Sequence, residues 1–61
     1  MNYKIISAVN QKLPYALNEV SEKVSKLMQQ DGWEVHGPLC VSEPSIAYAY
    51  FTVWQPLIKK N

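Results

Sequence analysis

Hydrophobic residues recur along this chain with two different periods. From Leu13 they fall at Leu13, Leu17, Val20, Val24 and Leu27, in alternating steps of four and three. Met28 widens the stripe, while Asn18, Glu19, Glu22, Lys23, Ser25, Lys26 and Gln29 fill the opposite face. This spacing predicts an amphipathic helix over about residues 14–30. Its start is set either by Pro14, whose missing N–H is not needed in a first turn, or by Asn18 acting as an N-cap. Glu19 with Lys23 and Glu22 with Lys26 are acid-before-base pairs four apart, each worth about 0.3 kcal/mol on a solvated face.

Elsewhere the period is two. Tyr3, Ile5, Ser7 and Val9 alternate with Lys4, Ile6 and Ala8, predicting a strand over 3–9 rich in β-branched and aromatic residues. Gly32 stands where a left-handed residue ends a helix, and Trp33 is placed to fold back over the last turn. Trp33, Val35, Leu39 and Val41 then share one face of a second strand, 33–41. Gly37-Pro38 interrupts it and makes it an edge, since proline offers no ladder donor. After the turn Glu43-Pro44-Ser45, residues 46–55 form the longest apolar alternation, expected as a central third strand that stops at Pro56, with a short tail beyond. Ala47, Ala49, Phe51 and Val53 are expected beneath the helix, and Ile46, Tyr48, Tyr50, Thr52 and Trp54 on the other side.

These elements compose a single α+β domain over residues 1–61. Its expected form is a β-α-β-β two-layer fold: a three-stranded antiparallel sheet in the order 1-3-2, with the helix packed on one face. Sixty-one residues lie near the lower limit for an independent core. Small domains compensate with disulfides, a metal or oligomerisation. The lone Cys40 closes no intrachain disulfide, and with the single His36 it falls short of a structural zinc site. Self-association is what remains, with the chain itself as the expected partner, as a homodimer or higher.

Six lysines balance five acids and there is no arginine, for a net charge of +1. Such a chain has no broad field for polyanions and lacks the side chain favoured for bidentate phosphate and base-edge contacts, which argues against nucleic acid as partner. The apolar run at the amino terminus is far shorter than a signal-peptide core, and nowhere do eighteen apolar residues run together as a membrane span needs. With an unpaired thiol, the expectation is a cytoplasmic protein.

Taken together, Tyr3-Lys4-Ile5-Ile6, the stripe through Leu27-Met28, Asp31-Gly32-Trp33-Glu34 and Gly37 resemble a family of short bacterial and phage-encoded proteins of unknown function. The resemblance covers most of the chain and implies the same β-α-β-β fold, no known activity and no catalytic residue. The chain departs from that pattern in the extra segment Gln11 to Ala16 and in Pro38.

Candidate chemistry is sparse. His36 and Cys40 are four apart, a spacing that pairs ligands on a helix but not on a strand broken by Gly37-Pro38. With no third orienting group, packing is the better account of Cys40. Glu34 and Glu43 are read as solvated edge residues rather than an acid–base pair. Neither an enzyme nor a cofactor or metal site is therefore expected. The aromatic row Tyr48, Tyr50 and Trp54, with Thr52 between, is the one constellation with content. Its first reading is a self-association interface, for which tyrosine and tryptophan suit. Its second is a nucleotide-like small-molecule pocket between subunits, of the sequestering kind a phage would use, with Lys4, Lys59 and Lys60 as anion contacts. A third is stacking of single-stranded nucleic acid.

Overall fold

The structure is a computed structural model, and residues 1–60 are described. In chain order the elements are β1 (Asn2–Asn10), α1 (Leu13–Asp31), β2 (Glu34–Val35), β3 (Cys40–Ser42) and β4 (Phe51–Lys59). The fold is α+β, with one helix and an open antiparallel sheet.

The helix begins at Leu13, one residue before Pro14 and well before Asn18. Lys12 is the extended residue at its N-terminus and has no side-chain cap. Local bonds do the work instead: Asn10 Oδ1 accepts from Lys12 N at 2.9 Å, and the Lys12 carbonyl accepts from Tyr15 N at 3.2 Å. Ala16, Val20 and Val24 are buried, Leu13, Leu17 and Leu27 pack partly against them, and Met28 stays exposed. Ala16 was not in the expected stripe; its small side chain lets the first turns approach the sheet closely. Of the two acid–base pairs, Glu19–Lys23 closes at 3.2 Å with both side chains about half exposed. At that exposure it adds little. Glu22–Lys26 does not close among the described residues.

At the other end Gly32 adopts φ 73° and ψ 22°, the left-handed region. The N–H groups of Gly32 and Trp33 both reach the Leu27 carbonyl, the latter at 3.3 Å. This turns the chain into β2 and lays Trp33 against the core.

The sheet corrects the expected three-stranded order 1-3-2. Four strands are present in the order β1-β4-β2, with β3 also paired to β4. The expected strand 33–41 is split in two by Gly37-Pro38. Val35 pairs with Leu57 and Cys40 with Trp54, so five steps along the edge match three along β4. Two extra residues are thus looped out, and the halves β2 and β3 flank the gap.

The expected strand 46–55 is likewise displaced. Residues 43–50 connect β3 to β4, and Ser45 N bonds the Tyr48 carbonyl at 2.7 Å while Tyr48 N returns to Ser45 O at 3.3 Å. This tight turn puts Ile46 at its fully exposed tip and leaves Ala47 and Ala49 in solvent rather than under the helix. β4 instead runs through Pro56 to Lys59, absorbing most of the expected tail; Asn61 lies outside the described residues.

Pro56 is tolerated in this central strand for a geometric reason. Its carbonyl accepts from His36 N at 3.0 Å, so its nitrogen also faces the β2 side, where the edge chain departs at Gly37-Pro38. The buried Gln55 side chain bridges the break, with Nε2 donating to the carbonyls of Gly37 and Pro56 at 3.0 Å each. β1 pairs with the other side of β4 without interruption, from Asn2↔Lys59 to Asn10↔Phe51. Ala8, Val53 and Leu57 close the core with Ala16, Val20 and Val24.

Gly32→Ala tests the helix stop. No heavy atom lies within 4 Å of a Cβ built at Gly32, so any cost is backbone strain alone. We expect destabilisation of about 1 kcal/mol, read as a melting temperature lowered by roughly 4–8 °C. An unchanged melting temperature would contradict the left-handed assignment.

Candidate functional site

Because Ala8, Val53 and Leu57 face the helix, the alternating residues of the same strands face away from it. The register arranges them in rows across the sheet: Tyr3, Ile58 and Glu34; Ser7, Trp54 and Cys40; Val9, Thr52 and Ser42. Ile5 and Pro56 form a further pair between the first two rows. Among the described residues no helix or strand packs across this face, although Ile58 is buried at its Lys60 end among Met1, Tyr3, Glu34 and His36. Tyr3 and Ile5 are 66% and 65% exposed, and Val9 is 46% exposed.

The expected aromatic row does not lie in one line. Thr52 and Trp54 stand on the outer face of β4, whereas Tyr48 and Tyr50 belong to the connector before it. The two tyrosine rings contact each other, with centroids 5.4 Å apart at 53°, and both are exposed. Ser45 Oγ supports their turn by accepting from Tyr48 N at 3.2 Å.

The three lysines gather at the opposite end of β4. Lys4 Nζ lies 5.0 Å and Lys59 Nζ 5.8 Å from the Trp33 ring centroid, so a single indole carries two ammonium groups. Such contacts contribute about 0.5–1 kcal/mol each at exposed sites. They place Lys4 and Lys59 at the helix-side end of the core rather than on the outer face. Lys60 borders an open hollow of about 450 Å³ with Met1, Tyr3, Glu34, Val35, His36 and Ile58. Nine residues of β4, about 30 Å at ~3.3 Å per residue, separate this end from the tyrosines. Within one chain, the aromatic and cationic candidates are not brought together.

His36 stacks edge-on against Tyr3, with centroids 5.7 Å apart at 65°. The Cys40 thiol donates to the Pro38 carbonyl at 3.6 Å. Among the described residues no group of three or more His, Cys, Asp and Glu side chains is placed to hold a metal. Nor is any helix long and apolar enough to cross a membrane. Tyr3, Ile5, Val9 and His36 were not among the expected site residues, although the alternation of β1 already placed the first three on one face. Comparison with family models, with curated proteins and with solved structures finds no match to the chain.

The displaced strand boundary gives a direct test. Tyr50→Glu adds a charge at an exposed connector position and should leave the circular dichroism spectrum and melting temperature nearly unchanged. Val53→Glu buries a carboxylate at a site with 0% exposure and should unfold the domain. Unfolding by Tyr50→Glu would restore residues 46–50 to the core.

Proposed function

We propose that this chain is a non-catalytic binding module that self-associates through β1, the strand whose apolar side chains it leaves exposed. The observation that carries the reading is that the helix packs on one sheet face while Tyr3, Ile5 and Val9 stand exposed on the other. The half-buried Trp54 and Pro56 lie beside them in the register, making a mostly apolar surface, interrupted by Ser7 and Thr52, of a kind that marks an interaction site.

Energetics point the same way. Val53 and Leu57 are the largest fully buried side chains, and the rest of the core is mostly alanine and valine. A core this thin gives a domain of this size only a few kcal/mol, about 0.05–0.15 per residue, so burying a second surface would add materially to stability. The lone thiol of Cys40 is compatible with a reducing cytoplasm, the compartment we assign.

Sedimentation equilibrium tests the proposal. The wild-type chain should have at least twice its 7.0 kDa mass at micromolar concentration. Ile5→Lys should yield a folded monomer, because in an isolated chain a charge at so exposed a position changes stability by only about 0.5 kcal/mol. A wild-type protein that is monomeric throughout that range would overturn the reading.

A further inference from the structure

The two edges of the sheet are built differently. On one side, β2 and β3 are two and three residues long and are separated by the Gly37-Pro38 insertion. Short strands, a bulge and a proline are the usual devices that stop an edge from pairing with another chain. On the other side, β1 is nine residues long, contains no proline or bulge, and keeps unbroken register with β4. Its one charge, Lys4, is turned to the helix side over Trp33. No described element pairs with its free side.

Which backbone groups of β1 are free follows from the ladder. Pro56 directs its polar groups toward His36, and Ile5 is its partner across the sheet. Ile5 therefore directs its own N–H and C=O away from β4. By alternation, Tyr3, Ser7 and Val9 do the same, while Lys4, Ile6 and Ala8 bond β4. The free edge thus carries four residues whose N–H and C=O groups both point outward.

We propose that β1 pairs antiparallel with β1 of a second copy about a two-fold axis at Ile6, making one continuous sheet across the dimer. This rests on the self-association reading and gives it a geometry. The register sets Tyr3 against Val9 and Ile5 against Ser7, each pair exchanging two hydrogen bonds, about eight in all. Asn2 meets Asn10 at both ends. Length favours this register, because Ile6 is the midpoint of Asn2–Asn10 and centring there pairs every residue of β1; charge agrees, since centring on Lys4 would oppose two ammonium groups whereas centring on Ile6 sets each lysine against Ala8. The same pairing brings the exposed side chains of Tyr3, Ile5 and Val9 beside those of the partner strand. It flanks the row that a single chain leaves most open with a second, identical row.

Ser7→Pro separates the edge from the fold. The Ser7 N–H points outward, so proline there removes a donor needed only by the second copy. Ala8→Pro removes a donor to β4 and serves as the unfolding control. The expected result is that Ser7→Pro keeps the wild-type circular dichroism spectrum and sediments at half the wild-type mass. In the wild-type protein, the Ile5 and Ser7 amides should be protected from hydrogen exchange at high concentration and lose that protection on dilution. An oligomer whose Ile5 and Ser7 amides exchange freely, or which survives Ser7→Pro intact, would overturn the edge pairing while leaving self-association standing. A wild-type monomer would overturn both. Should Ser7→Pro fail to fold, the wild-type exchange pattern decides alone.

Discussion

Pro56 lies within the central strand, between Ile5 of β1 and the edge chain at His36, where a missing N–H normally leaves a carbonyl unpaired. The domain is arranged around that missing donor. The edge chain leaves the ladder at Gly37-Pro38, directly beside it, and the Gln55 amide spans the opening with two 3.0 Å hydrogen bonds. Because the break is bridged, β4 can continue to Lys59 and bring Leu57 as well as Val53 beneath α1. Had the strand ended at Pro56, Leu57 would be lost from the core. Burying such a leucine is worth about 1.5–3 kcal/mol, a large share of what a domain of this size has.

The elements with one strong local signal were legible in the sequence. The four-three spacing from Leu13 to Leu27 defined α1, and the alternation from Tyr3 to Val9 defined β1. Gly32 showed where the helix ends, because only a residue without Cβ takes φ 73° at no steric cost. The last third of the chain was misread for two physical reasons. Ile46-Ala47-Tyr48-Ala49-Tyr50 alternates like a strand, but Ser45 and Tyr48 close a turn within it. Pro56 carries the mark of a strand end, yet its absent donor faces a gap made by residues some twenty positions away. Local pattern does not contain that long-range compensation.

The same displacement explains how the candidate site changed. An aromatic row drawn along 48–54 assumed one straight strand; the turn removes Tyr48 and Tyr50 from it, and β1 supplies the exposed apolar side chains instead. Lys4 and Lys59 carry charge, but their place is over Trp33, where they close the end of the core. What is left on the outer face is a mostly apolar surface, with Ser7 and Thr52 among the aromatic and aliphatic side chains, beside one protected and one unprotected edge.

Central to the fold is that Gln55 bridges the gap beside Pro56 by donating to the Gly37 and Pro56 carbonyls, and its side-chain amide can be observed directly. In a nitrogen-edited proton spectrum the Gln55 Nε2 protons should exchange with solvent much more slowly than those of Gln11, Gln29 and Gln30, all at exposed positions. Exchange of Gln55 at the same rate as those three would contradict it, and with it the bridge that lets β4 pass through Pro56.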